Sequence, residues 1–147
     1  MTRVTIIYQP PSEEAACPAV APDRFDAVLF DMDGVLTTTA RMHAHAWKRT
    51  FDDFLEEWDV EHSSHTPAFS IAEDYPASVD GKPRLEGVRD FLASRGIRLP
   101  LGTADSPPTE WSVHGVGNRK QQYVAEALRT EGVEVFPGSV GWAAGRR

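Results

Sequence analysis

Two carboxylates one residue apart, Asp31 and Asp33, are followed at once by Gly34 in the stretch FDAVLFDMDGVLTTT. Asp and Gly favour turns for local reasons, so an Asp-Gly turn whose acids only solvate the end of an element is the first reading to weigh. The surroundings argue for more. Ala27, Val28, Leu29 and Phe30 form a short continuous apolar run, the pattern of a strand buried on both faces of a parallel sheet. Asp31 to Leu36 then make the loop at its carboxyl end, where two side chains can turn toward one point while backbone amides around Gly34 face an anion. There Asp31 can attack phosphorus to give an aspartyl-phosphate, and Asp33 can protonate the leaving oxygen and later deprotonate the attacking one. An anionic nucleophile approaching an anionic phosphate needs a hard cation. Mg²⁺ takes one or two carboxylates, here Asp31 and Asp33, together with phosphate oxygens and waters. A calcium loop of the EF-hand type is excluded by spacing. Its glycine stands sixth and its closing Glu twelfth, whereas here Gly34 is fourth and the twelfth residue is Met42.

The elements that must position these residues can be read from apolar spacing and breakers. Thr38 or Thr39 can cap a helix running to about Glu57, with Trp47, Phe51 and Phe54 on one stripe. A strand, loop and helix in that order place ligands at the carboxyl edge of an α/β sheet. From Asp59 to Pro83 the chain is polar and broken by Pro67, Pro76 and Gly81, which predicts loop. Val88, Phe91 and Leu92 make the next helical stripe, stopped by Gly96 with Pro100 beyond. Leu101 to Val116 is expected to be another connection. Asn118 is a candidate cap for a helix through Leu128, with Val124, Ala127 and Leu128 facing inward. Val133 to Phe136 is a candidate short strand or turn, and after Val140 neither a strand nor a finished helix is expected. At the other end, Met1 to Asp23 holds four prolines and is expected to be a loosely attached leader, with an extra edge strand from Val4 to Tyr8 as the alternative.

FDAVLFDMDGVLTTTARMHAHAWKRTFDDFL resembles the start of haloacid-dehalogenase-superfamily proteins of the β-phosphoglucomutase-like branch. VDGKPRLEGVRDFLASRGI is similar to the cap of family members found beside trehalose-processing modules, and EGVEVFPGSV resembles the return from cap to core. The resemblance spans most of Phe25 to Val140. It implies an α/β fold: a doubly wound, Rossmann-like core with an α-helical cap inserted after the nucleophile loop, Mg²⁺ dependence and an aspartyl-phosphate intermediate. The implied organisation is a leader over 1–23, the start of the core over 24–39, the cap over 40–131 and the return to the core over 132–147.

The resemblance also carries individual residues. A His and a Trp follow the family's nucleophile loop, and His43 and Trp47 stand there in this chain. They lie one turn apart with Thr39 a turn earlier, so all three share one helix face. Core packing remains open for Trp47, and a hinge or surface place for His43. Arg84, in GKPR, matches a cap arginine that grips the distal phosphate, work that suits a guanidinium fork. Lys120, in NRKQQ, matches a cap lysine near the substrate. Either could equally be a solvated surface charge, and Lys82 is weaker still. The family's core also supplies a Ser or Thr, a Lys and an acidic pair after the cap. Ser139 comes too early for the first of these, Arg146 is not a lysine, and no Asp or Glu follows Glu134. The sequence therefore reads as a core that stops short, with little or no turnover expected from the isolated chain.

Composition bounds the partners. A hydrophobic fraction of 41% with 25% charged residues fits a globular domain, and the formal net charge of -7 offers no basic field for nucleic acid. Cys17 is the single cysteine, so no disulfide closes within the chain. No apolar run reaches the roughly 20 residues that span a bilayer, and the N-terminus lacks signal-peptide order. A cytoplasmic enzyme of carbohydrate metabolism acting on a small phosphorylated sugar, near trehalose-processing modules, is the resulting expectation. Its competitor is a catalytically incomplete piece that binds phosphate or a partner.

Overall fold

Apolar residues at helical spacing build the first long element of the computed structural model, which describes residues 26–144. Helix α1, Thr39–His62, runs a turn further than its stripe predicts. Asp59 draws the chain off its end by accepting from Ser64 Oγ at 2.6 Å and from the Thr66 amide at 2.7 Å. Helix α2, Arg84–Ser94, buries Val88, Phe91 and Leu92. Gly96, at φ +74°, ends it as expected. Helix α3, Val113–Glu131, starts five residues before the predicted cap. Ser112 is the cap: its buried hydroxyl accepts from the Gly115 amide at 3.0 Å. Asn118 lies inside the helix and donates instead to the carbonyls of Ala104 and Ser106. Of the apolar residues predicted to face inward there, Val124 is buried, Ala127 half-buried and Leu128 exposed. Helix α4, Pro137–Ala143, forms where no finished helix was predicted, with Pro137 in its first turn.

The three long helices close on one core. Phe51, Phe54, Phe69, Val88, Phe91, Leu92 and Val116 are its buried centre. The predicted loop from Asp59 to Pro83 belongs to this packing rather than lying over it. It contains a π-helical turn, Tyr75–Val79, and contributes Phe69 and Val79 to the core. Side-chain acceptors hold its backbone: Asp52 takes the Phe69 amide at 2.8 Å, and Asp74 takes the Ser70 amide at 2.8 Å while pairing with Arg95 at 2.7 Å. At the far end of α1, the guanidinium of Arg119 reaches Glu57 by two contacts of 2.9 and 3.1 Å and donates to the Pro108 carbonyl. That buried cation is fully partnered, as burial requires.

The apolar run Ala27–Phe30 does not form the predicted strand. These residues are exposed, Leu29 by 83%. A strand needs neighbours to take its amides and carbonyls, and the β-type pairings among the described residues are single bridges, Asp33 with Thr37 and Thr37 with Val135. The α/β core is thus not seen in the described residues, which are helical and consistent with the cap portion alone. Val133 to Phe136 likewise contributes one bridge rather than a strand. The leader and the Val4–Tyr8 alternative lie outside the described residues, as do Arg146 and Arg147. A division between Asp31 and Met32 splits the chain into two units, and every helix above lies in the second. Among the described residues no helix is long and apolar enough to cross a membrane.

Candidate active site

The loop carrying Asp33 is a tight turn tied to the start of α1. The Thr37 amide donates to the Met32 carbonyl at 2.9 Å and the Gly34 amide to the Thr37 carbonyl at 2.8 Å. Gly34 sits at φ +81°, a conformation that glycine adopts without strain. Its amide is therefore spent inside the turn rather than offered to an anion. The turn is also fastened to the segment after α3, where the Thr38 amide donates to the Glu134 carbonyl at 3.0 Å and the Phe136 amide to the Leu36 carbonyl at 2.9 Å. Thr38 precedes the helix without capping it, because its hydroxyl donates to the Glu134 carbonyl instead.

A polar line runs from this turn across the helices. The Thr39 hydroxyl donates to one oxygen of Asp33 and lies 2.6 Å from the Thr37 hydroxyl. The other oxygen of Asp33 faces Nε2 of His43 at 3.7 Å. Nδ1 of His43 meets the ammonium of Lys120 at 2.8 Å. Lys120 in turn stands over the ring of Trp47, its Nζ 5.3 Å from the centroid. A lysine ammonium only donates, so Nδ1 is the acceptor and the ring proton of a neutral His43 sits on Nε2, toward Asp33. Burial, then the Lys120 charge, hold His43 below its usual range, against the pull of Asp33. Lys120 is only 7% exposed. Burial and then the neighbouring Arg84 lower it to about 8, again against Asp33.

Arg84 enters the same region from the first turn of α2. Its Nη1 donates to Oε1 of Gln121 on α3 at 3.3 Å. Its Nε is buried with no hydrogen-bond partner, an arrangement that costs about 1–3 kcal/mol. Such a group calls for an explanation, for which an ordered water or a bound ligand serves. Gly117 lies against the same guanidinium: a side chain there would begin 3.4 Å from that Nε and 3.2 Å from Leu85. Burial, then the charges of Asp80 and Asp33, raise the phenol of Tyr75, on the π-helical turn.

The second unit thus brings together five sequence-predicted residues, Asp33, His43, Trp47, Arg84 and Lys120, from one turn and three helices. Asp31 lies in the other unit and is exposed. Lys82 stands apart, paired with Asp90 at 2.6 Å. Sequence reasoning placed Thr39 on the shared face but missed Gln121, Thr37 and Tyr75. Nothing in their type or spacing marks them, because the folding of separate segments brings them in. Among the described residues no group of three or more His, Cys, Asp or Glu side chains could hold a metal ion. Asp31 and Asp33 each carry the hard oxygen donors that Mg²⁺ prefers. A groove of about 520 Å³ adjoins the turn at Thr38 and Thr39 and extends along α1 past Arg41, His45 and Arg49 to Tyr123.

No protein-family model matches the chain. It is 46% identical over 118 residues, 80% of its length, to proteins named β-phosphoglucomutase from Mycobacterium bovis and Mycobacterium tuberculosis. The chain is a homologue of β-phosphoglucomutase, an enzyme of the haloacid-dehalogenase superfamily. It spans 45% of the length of those β-phosphoglucomutases. A second kind of relative, an uncharacterized glycosyl hydrolase of Mycobacterium tuberculosis, is 38% identical over 106 residues, which are 71% of this chain and 8% of that protein.

Proposed function

We propose that this chain carries the nucleophile loop and helical cap of a Mg²⁺-dependent phosphoryl-transfer site for a small phosphorylated sugar. The observation that carries the reading is the convergence of Asp33, His43 and Lys120 in one polar line, with Arg84 beside it, in a homologue of β-phosphoglucomutase. A carboxylate, a half-buried imidazole and two cations form a site for an anion that also exchanges protons.

In this reading Asp31 attacks phosphorus and its carboxylate becomes an aspartyl-phosphate as the leaving oxygen departs. Asp33 gives that oxygen its proton, and later takes one from the attacking hydroxyl or water, a role typically worth about 10²- to 10⁴-fold. The Nε2 proton of His43 faces Asp33 and steadies its carboxylate between transfers. Lys120, over Trp47, faces the sugar, and Arg84 grips the distal phosphate as a guanidinium fork does. Asp31 and Asp33 would be this chain's donors to Mg²⁺, which when bound would supply the positive charge that offsets repulsion between a carboxylate nucleophile and a phosphate. Transfer to a second sugar hydroxyl gives a mutase, and transfer to water a phosphatase. The glycosyl hydrolase relative supports a carbohydrate setting, and trehalose-processing neighbour modules are what the family resemblance adds to it.

A second reading is favoured by the lack of a β-ladder among the described residues: a phosphate-binding or interaction module that works only alongside the rest of a core. A Mg²⁺-dependent assay on hexose 1-phosphates and an aryl phosphate, with a thermal melt, separates the two. Low turnover is expected from this chain, abolished by Asp31→Asn with the melt unchanged. Turnover that survives Asp31→Asn contradicts the aspartyl-phosphate, and its absence under every condition leaves the module as the better account.

A further inference from the structure

Besides the Nε of Arg84, a second donor stands unused beside the polar line. Arg84 carries donors only, so the amide group facing it must present oxygen, and Oε1 of Gln121 accepts from Nη1 at 3.3 Å. That fixes the amide. The nitrogen of Gln121 points away from the guanidinium with two protons to give, and among the described residues nothing accepts from it. Gln121 is exposed and adjoins Lys120 on α3, a turn beyond the Gly117 position against which the Arg84 stem lies.

We propose that Gln121 is a further ligand-contacting residue of this site, holding Arg84 through its amide oxygen and giving its amide protons to an oxygen of the bound sugar phosphate. The inference rests on the phosphorylated-sugar reading above and adds to it a group that reads acceptor oxygens. One amide thereby serves two tasks. It keeps the guanidinium from swinging into solvent, and it supplies a neutral donor beside Arg84, where a further cation would be repelled.

The test is calorimetric titration of the full chain with glucose 1-phosphate. Gln121→Leu removes both tasks, whereas Gln121→Glu keeps an oxygen toward Arg84 but replaces the donor with a carboxylate. Both are expected to weaken binding roughly tenfold or more, with melting temperatures matching the unaltered chain and with Gln122→Leu binding as the unaltered chain does. Wild-type affinity in both Gln121 variants overturns the proposal. Loss in the Leu variant with retention in the Glu variant also overturns it, since Gln121 would then only position Arg84. Arg84→Ala separates this from the underlying reading. If it abolishes binding while both Gln121 variants bind normally, the site stands and Gln121 is excluded. If Arg84→Ala changes nothing, or the unaltered chain binds no glucose 1-phosphate, the site and this inference fall together.

Discussion

Lys120→Met is expected to make the fold more stable at neutral pH and unable to hold a sugar phosphate. The ammonium is buried, next to Arg84, and lowered from 10.5 to about 8. The unfolded chain therefore binds the proton more tightly than the folded one. Below about 8 both states are protonated and the full cost of burying the cation is present. As pH rises from there toward 10.5 the folded state gives up its proton first, the cost is relieved, and stability climbs. Methionine removes that cost at every pH, a gain on the order of 3 kcal/mol at most, while keeping an apolar stem against Trp47. His43 acts in the same direction at lower pH: its depressed value means that stability falls as pH drops below the ordinary imidazole range. Urea midpoints at pH 7.5 and 9.5 check this. The unaltered chain should be more stable at the higher pH, and Lys120→Met should flatten that slope while losing affinity for glucose 1-phosphate. Stability given up at a binding site is the usual trade between function and folding.

Phe51→Ala is expected to cost about 3–5 kcal/mol, the range for truncating a buried aromatic ring. Phe51 has no exposed surface and is the hub of the core. Its ring stacks on Trp47 at 5.1 Å and 12°, lies 5.1 Å from Phe69 and tilts against Phe91 at 4.1 Å. It therefore joins α1, the following loop and α2. The three neighbours are themselves held by separate elements, so the void cannot close by moving one of them. Since whole domains are stable by only about 5–15 kcal/mol, denaturant unfolding should show a large fall in midpoint. The loss should extend to sugar-phosphate affinity, because Trp47, under Lys120, is one of the rings that Phe51 supports.

The core was legible in the sequence where a stripe of apolar residues repeats at helical spacing. Trp47, Phe51 and Phe54 on α1, and Val88, Phe91 and Leu92 on α2, are all buried. Boundaries were less legible because they depend on polar partners distant in sequence or of competing type. Ser112 rather than Asn118 caps α3, and Asp52, Asp59 and Asp74 order a segment whose prolines and polarity predict loop. The strand at Ala27–Phe30 was misread for a related reason. An apolar run predicts burial on both faces, but a strand forms only against partners, and the described residues do not supply them. Of the site, His43, Trp47, Arg84 and Lys120 came from family resemblance and converge around Asp33. The links between them, Thr39 to Asp33 and Gln121 to Arg84, depend on side-chain direction and were not legible.

The convergent line from Asp33 to Lys120, with Arg84 beside it, is the proposed seat of the phosphorylated sugar. Residue-resolved NMR titration of the chain with glucose 1-phosphate in the presence of Mg²⁺ locates that seat. Saturating signal changes are expected on Asp33, His43, Arg84, Lys120 and Gln121 together, with the stretch of the groove at Arg41, His45 and Arg49 silent. Changes confined to that groove, or none at all in a folded chain, would contradict it.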